Sequence, residues 1–463
     1  MIQFNFDNRQ IHSVHFIGIG GISMSALAEV LFELGYIVTG TDMHASKLTD
    51  KLLKKGIHVK IGHHKDYLPQ CDLVVFTAAI NKENPELIKA KDLGIPIIDR
   101  AEMLGLLMKK YKNSVAISGT HGKTTTTSMI SLILEYSQYN PTIMIGGELD
   151  EISGNLKIGG LDYFVTEACE YVESFLKFFP TIGVILNIDA DHLDYFRDMD
   201  HIIQSFTKFG QLIPEEGYLI AFLDDDNIKK VLPHVKCNVV TYGKSEGSDY
   251  RPHNILYDEK GFPSFDVYYQ NKNLGRFQLS IPGNHNIYNA LAAIASSLIL
   301  GVPIDKVQEN LGRFKGTHRR FDILGKLETV TIVDDYAHHP TEVKATLEAA
   351  TRYPHNRLWC IFQPHTYTRT KALLNDFASS FFSADTVIIT DIYAAREKDT
   401  GEIHARDLAE AISHYHDNVH YYSSFEDIVA YARNHIQPED LILTMGAGDI
   451  FKVGEMLLDE NKG

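Results

Sequence analysis

The sequence predicts an α/β fold of three domains, each built from parallel-sheet units, and three observations carry that prediction. A short β-rich apolar run, a turn rich in Gly, His or Asp, and a helical pattern recur along the chain, which is the order of βαβ units. The 463 residues amount to about three domains at roughly 150 residues each. Two glycine turns also stand where such a fold binds phosphates, between an apolar run and a helix.

Residues 14–19 form the first apolar run, Gly18-Ile19-Gly20-Gly21 its turn, and Leu27, Leu31 and Leu34 the apolar face of a helix that Gly35 ends. Runs at 37–39, 73–76 and 95–98 complete a Rossmann-like first domain over residues 1–110, with the polar stretch 109–113 as its exit linker. A second set at 115–118, 163–166 and 182–187 predicts a central parallel-sheet domain over 111–316, in which residues 211–280 read as β-rich insertions. A third set at 330–333, 358–362, 386–390 and 441–445 predicts a Rossmann-like C-terminal domain over 317–463.

The composition, 44% hydrophobic and 22% charged, is that of a soluble globular chain, and no window offers the roughly 18 apolar residues of a membrane span. The first residues lack the basic start and apolar run of a signal peptide. Cys71, Cys169, Cys237 and Cys360 lie far apart with no C-x-x-C pair, which fits a reducing cytoplasm rather than a disulfide framework. A net charge of -16 repels polyanions, so nucleic acid is not expected as a partner, nor is a membrane.

The strongest local signal is Ser118-Gly119-Thr120-His121-Gly122-Lys123-Thr124-Thr125, set between a strand and the helical pattern Met129, Leu132, Ile133. Its glycines let backbone N–H groups curl around phosphate oxygens, Lys123 can reach the β and γ phosphates, and the Thr124 hydroxyl can ligate Mg2+. The G-x-x-G-K-T spacing is two residues shorter than the common phosphate loop, and the plainer reading is a turn that merely starts a helix. Glu167 ends the next strand and Asn187-Ile188-Asp189-Ala190-Asp191-His192 follows the one after, so both fall on the sheet edge that carries Lys123. A carboxylate there suits Mg2+, whereas an imidazole more often moves a proton or bridges a site. Taken singly, Glu167 reads equally as a solvated acid and His192 as a hydrogen-bonded loop residue.

The N-terminal Gly18-Ile19-Gly20-Gly21-Ile22-Ser23, with Asp42 downstream, approximates a dinucleotide fingerprint in which Ser23 replaces the third glycine. Two phosphate-binding units point to two phosphorylated ligands, and so to joining chemistry rather than hydride transfer. Farther on, His285, Asn286 and Asn289 open an apolar helix, where amides read a purine edge or simply cap. Arg319-Arg320 offers a clamp for phosphate or carboxylate, or a salt bridge across the domain boundary. Asp334-Asp335-Tyr336-Ala337-His338-His339-Pro340 and Gln363-Pro364-His365-Thr366-Tyr367-Thr368-Arg369-Thr370 each lie between a strand and a helix.

Together G-T-H-G-K-T-T, N-I-D-x-D-H, the H-N-x-x-N helix start, R-R-F, D-D-Y-A-H-H-P and Q-P-H-x-x-x-R-T closely resemble the Mur ligases of peptidoglycan synthesis, over nearly the whole chain. The G-I-G-G, G-T-H-R-R-F and D-D-Y-A-H-H-P segments are similar to the branch that adds L-alanine to UDP-N-acetylmuramate. The resemblance implies an ATP-dependent ligase working through an acyl phosphate, in the cytoplasm, as a monomer or weak homodimer. It assigns Gly119 through Thr125, with Lys123 foremost, to the ATP phosphates, and Thr124 and Glu167 to one Mg2+. His192 falls to a second metal site, His285, Asn286 and Asn289 to the adenine, Asp335 to the ribose, and Arg320 to the γ-phosphate. Gly18, Gly20, Gly21, Ser23 and Asp42 fall to the UDP-sugar, and His339, His365 and Arg369 to the L-alanine pocket. The chain departs from the family at Ser23 and Ala26, where glycines are usual, and at Cys169 in Glu167-Ala168-Cys169-Glu170. Two alternatives stay open: a ligase that attaches a ready-made tripeptide to the same UDP-sugar, and a nucleotide-binding regulator without catalysis.

Overall fold

The computed structural model describes residues 4–6, 9–77, 79–395 and 397–459. It contains three large sheets. The first is parallel throughout, in the order His58–Ile61, Ile37–Asp42, Ser13–Ile17, Leu73–Phe76, Ile97–Asp99. The chain reverses direction about Ser13–Ile17, so the glycine turn that follows sits at the switch point where such a sheet opens a crevice. Helix Ile22–Glu33 packs Leu27 and Leu31 into the core beneath it and ends just before Gly35, as its apolar spacing predicts. The strand expected at 95–98 begins later, at Ile97: Pro96 has no N–H for the ladder and contributes only its carbonyl, to Val74.

The second sheet has ten strands. Its parallel centre runs Thr142–Leu149, Tyr163–Glu167, Asn113–Ser118, Ile182–Ile185, Tyr218–Phe222, Asn238–Tyr242. Beyond it Tyr250–Tyr257, Pro263–Tyr269 and Lys272–Gln278 form an antiparallel meander; only this later part of 211–280 matches the expected β-rich insertion, because Tyr218–Phe222 and Asn238–Tyr242 belong to the parallel centre and helix Asp226–Val231 links them. Helix Lys123–Tyr136 is buried along most of its length, because the sheet covers one side and helix Asn284–Ile299 the other. That sandwich explains its weak amphipathic contrast, since a helix enclosed on both sides has no need of a polar face.

The third sheet has the order Asp322–Leu327, Val330–Asp335, Leu441–Met445, Leu358–Phe362, Thr386–Ile389, Val419–Tyr421, with an antiparallel edge at Asp322–Leu327 and parallel pairs elsewhere. Among the described residues no helix is long and apolar enough to cross a membrane. The C-terminal ends of the central strands, at Ser118, Glu167 and Ile185, share one edge, and the helix-starting loop after Asp335 in the third sheet reaches that edge.

Candidate active site

Strand Asn113–Ser118 delivers the chain into Gly119, and Gly122 starts helix Lys123–Tyr136. Both glycines have positive φ, +139° and +83°. A Cβ on Gly119 would lie 2.9 Å from Leu186 Cβ, and one on Gly122 2.7 Å from Asn289 Oδ1, so the loop can run this close to its neighbours only as glycine. The loop is stitched to the next strand end: the His121 N–H donates to Asn187 Oδ1 at 2.8 Å, Asn187 Nδ2 donates to the His121 carbonyl at 3.0 Å, and the Asp189 N–H donates to Thr120 Oγ1 at 2.9 Å. This bonding also explains why the strand expected at 182–187 stops at Ile185, since Asn187 is committed to the loop rather than the ladder.

Lys123 turns back over its own loop. Its ammonium donates to the carbonyls of Gly119 and Thr120 and to both oxygens of Glu170, at 3.2 and 3.0 Å. Burial pulls the pKa of Lys123 down, but the Glu170 carboxylate beside it outweighs that and the net shift is upward. Glu170, itself buried, also lies 3.8 Å from His192 Nε2. His192 adopts φ +54° and packs its ring on Tyr171 with centroids 4.7 Å apart. Glu170 is thus a site residue that motif reading missed. Its only sequence signal was its place three residues past the strand-end Glu167, in the segment where Cys169 departs from the family pattern. Burial pushes the Cys169 thiol up to about 11, so it stays protonated and serves as a small enclosed side chain.

Glu167 Oε1 accepts the Gly146 N–H at 2.7 Å, and a Cβ on Gly147 would lie 3.2 Å from Thr124 Cγ2. The Gly146-Gly147 backbone therefore passes beside both predicted Mg2+ ligands. A hydroxyl and a carboxylate at the mouth of a phosphate loop are hard oxygen donors of the kind Mg2+ takes. His192, with its nitrogen donor, stands apart, nearest Glu170 and Asp191.

A cavity of about 530 Å3 opens in front of the loop, lined from the central domain by His121, Thr125, Asn286 and Asn289 and from the C-terminal domain by Arg320 and Asp335. His285 is ringed by protein yet open to this cavity, and desolvation pushes its pKa down to about 4, which leaves a neutral, stackable imidazole. Asn286 Nδ2 donates to the Pro282 carbonyl at 2.6 Å, and Asn289 Nδ2 donates to Asn286 Oδ1 at 3.0 Å. Asp335 accepts the N–H groups of Ala337 and Phe321, both at 2.8 Å, and burial raises its pKa to about 6 against the pull of Arg320. The two arginines divide. Arg319 is structural, bound to Asp334 at 2.8 Å and to the carbonyls of Gly446 and Gly448, while Arg320 lies over Tyr336 at the cavity wall.

The third-domain loops contact the central domain directly. Arg369 donates from Nε and a terminal nitrogen to Asp191 Oδ1, at 3.0 and 2.9 Å, and from its other terminal nitrogen to the His365 carbonyl. His365 stacks on Tyr393, and a recess of about 30 Å3 is lined by His192 and Asp191 of the central domain and by Thr366 and Arg369 of the C-terminal domain. In this arrangement Arg369 holds a carboxylate of the protein. His339 donates from Nε2 to the Ala190 carbonyl at 3.1 Å and caps helix Pro340–Ala350, packed on His121 rather than beside His365. Asp189 and Asp191 lie in a motif that did not reveal their partners, and Glu342, just past Pro340, was not singled out in the sequence.

In the first domain, Asp42 Oδ2 accepts the Gly20 N–H at 2.8 Å and Oδ1 the His44 N–H at 3.3 Å, bracing the turn of Gly18, Gly20, Gly21 and Ser23. Gly21 starts helix Ile22–Glu33 without a side-chain cap, which leaves that helix N-terminus facing the crevice. Asn155 of the central domain reaches the Ile22 carbonyl at 3.5 Å.

Three family models match the chain in order: "Mur ligase family, catalytic domain" over residues 13–112, "Mur ligase middle domain" over 117–297, and "Mur ligase, glutamate ligase domain" over 319–448. A UDP-N-acetylmuramate–L-alanine ligase of Alkaliphilus metalliredigens is 55% identical over 99% of this chain and 100% of its own. One of Caldanaerobacter subterraneus is 56% identical over 98% and 99%. Among solved structures, the UDP-N-acetylmuramate–alanine ligase of Thermotoga maritima superposes with a TM-score of 0.79 at 29% identity, covering 96% of this chain and 98% of that one. A murein peptide ligase of Psychrobacter arcticus gives a TM-score of 0.69 at 26% identity, covering 96% and 98%.

Proposed function

The chain belongs to the Mur ligase family, and from that membership we propose how its residues carry out the reaction. It is an ATP-dependent ligase that joins L-alanine to UDP-N-acetylmuramate. The observation that carries the mechanism is the convergence on one sheet edge of Lys123, Glu167, Glu170 and His192 beside a cavity walled by two domains.

A free carboxylate does not form an amide in water, because hydroxide is a poor leaving group. A lactyl carboxylate oxygen attacks the γ-phosphorus of ATP, the bond to the β-phosphate oxygen breaks, and ADP leaves. The L-alanine nitrogen then attacks the acyl carbon of the mixed anhydride, phosphate departs, and the amine proton is released. Lys123 and Arg320 stabilise the transferring phosphoryl group by charge and position. Thr124 and Glu167 would hold Mg2+, with His192 at a second position, and the ion when bound neutralises phosphate charge. Gly119 through Thr125 cradle the phosphates; His285, Asn286 and Asn289 receive the adenine and Asp335 the ribose. The glycine turn at Gly18, Gly20, Gly21 and Ser23, braced by Asp42, takes the diphosphate of the sugar nucleotide at its helix N-terminus. His339, His365 and Arg369 border the side from which the amino acid arrives. Contact between the central and C-terminal domains excludes water and so protects the anhydride from hydrolysis.

Phosphate release from Mg-ATP, measured with UDP-N-acetylmuramate and L-alanine together and singly, tests this reading. Release is expected only with both present, and a tripeptide in place of L-alanine is expected to be a poor acceptor. Turnover without the sugar nucleotide, or a preference for the tripeptide, overturns it.

A further inference from the structure

The loops that close the C-terminal domain on the central domain bring together two histidines and an aspartate to which the ligase chemistry above gives no role of this kind. His121 Nε2 lies 3.1 Å from Asp189 Oδ2, His339 Nδ1 lies 3.8 Å from the same oxygen, and the three ligand atoms all fall within 4.8 Å of one another. Four ligands held tetrahedrally at about 2.0–2.1 Å from Zn2+ are separated from each other by roughly 3.3 Å, so His121 and Asp189 already stand at that spacing and His339 must draw in toward them to share one ion.

We propose that His121, Asp189 and His339 form a site for a Zn2+-class cation that fastens the C-terminal domain to the central domain. The surroundings are those of a built metal site. His121 Nδ1 faces Glu342 Oε1 at 3.1 Å, which fixes the ring with Nε2 toward the ligand cluster. His339 donates Nε2–H to the Ala190 carbonyl at 3.1 Å, which fixes the tautomer with Nδ1 as the acceptor; Nδ1 takes the Thr341 N–H at 3.3 Å and lies 3.8 Å from Asp189 Oδ2, so a cation here displaces that helix-capping bond. Asp189 Oδ2 is oriented in turn by the Thr341 hydroxyl at 2.7 Å. Each ligand therefore has its own outer partner, the arrangement that sets ring orientation and basicity at metal sites. A metal-binding imidazole is neutral, so His121, which faces carboxylates from both ring nitrogens, gives up a proton when the cation enters.

The donor set also separates this site from the one assigned to Mg2+. Two imidazoles and one carboxylate suit zinc and its neighbours, whereas Mg2+ takes oxygen donors such as those of Thr124 and Glu167. Three protein ligands leave one tetrahedral position open. His121 and Asp189 both line the 530 Å3 cavity, so a water or a phosphate oxygen in that cavity can complete the sphere. Ligands from both domains, two from the central and one from the C-terminal, make occupancy depend on closure, and by linkage make closure depend on occupancy. On binding, the cation takes the lone pair at His121 Nε2 and any proton there leaves to solvent.

Calorimetric titration of chelator-treated full-length protein with ZnCl2, in the absence of nucleotide, tests the site. One equivalent is expected in the unaltered chain. His121→Gln and His339→Gln should each weaken binding by more than about tenfold, the loss already typical when an outer partner is removed. Glu342→Gln, which keeps all three ligands, should weaken it to a smaller degree, while Glu167→Gln and His192→Gln leave it unchanged. Co2+ in the same titration should give the strong visible absorption of a tetrahedral site. The proposal is overturned if no stoichiometric uptake occurs, if uptake survives in both His121→Gln and His339→Gln, or if Glu167→Gln or His192→Gln abolishes it.

Discussion

Replacing Glu170 by glutamine tests whether this carboxylate stands in for the nucleotide phosphates. Lys123 and Glu170 are 16% and 3% exposed, so their pairing takes place almost wholly out of water. Removing one partner of a buried pair costs about 3–5 kcal/mol when nothing replaces it. Here the ammonium keeps the carbonyls of Gly119 and Thr120, and the substituted amide still offers an oxygen. The loss reduces to that of one charge-assisted hydrogen bond, about 2–3 kcal/mol. For a cooperative unit of 150–250 residues this lowers Tm by roughly 4–12 °C. Differential scanning fluorimetry of the nucleotide-free protein measures it. A non-hydrolysable ATP analogue brings phosphate charge to Lys123, so the gap between the two proteins should narrow when it is added. An unchanged Tm for Glu170→Gln without nucleotide, or a gap that the analogue leaves intact, refutes the reasoning.

Two further outcomes follow from the same geometry. His121, raised to about 9 by its Asp189 and Glu342 partners against the opposing effect of burial, is charged in the folded chain. Its contribution is complete below the unfolded value of 6.5 and is lost as pH rises through about 9. His285, His338 and His365 are held near 4 by burial, so each costs stability as pH falls from 6.5 toward 4, where only the unfolded chain takes up the proton. Nucleotide-free, chelator-treated protein should therefore be most stable near pH 6.5, and His121→Ala should flatten the alkaline limb alone; an unaltered alkaline limb contradicts the assignment. Arg369→Ala removes the Asp191 contact between domains, at 11% and 9% exposure a buried pair, and small-angle scattering should show a larger radius of gyration with unchanged secondary structure by circular dichroism. An unchanged radius would mean that this pair does not hold the domains closed.

The parts of the site that sequence made legible are those whose chemistry is local. The phosphate loop needs glycine at Gly119 and Gly122, a lysine and a helix start within one short segment, and all four are contiguous. Strands such as Leu73–Phe76, Leu358–Phe362 and Leu441–Met445 were readable because both faces are buried and the run is apolar throughout. Partnerships between distant segments were not legible. Glu170 lies opposite Lys123 only because strand Tyr163–Glu167 pairs alongside Asn113–Ser118, and nothing in its neighbours announces that. The same holds for Asp191 with Arg369 and for His121 with His339, which meet only when the third domain docks. The short hairpin Thr142–Leu149 with Gly154–Lys157 lacked a signal for a different reason: its first strand begins apolar and then passes through Gly146-Gly147-Glu148, a composition that reads as loop, yet this backbone passes Glu167 and Thr124.

The most direct measurement of the central claim follows oxygen. UDP-N-acetylmuramate carrying oxygen-18 in its lactyl carboxylate is turned over with ATP and L-alanine, and the phosphate released is analysed by mass spectrometry. Activation through an acyl phosphate transfers one labelled oxygen to phosphate at each turnover, because the oxygen that attacks the γ-phosphorus leaves with it. Phosphate without the label, released in step with amide formation, would contradict the account.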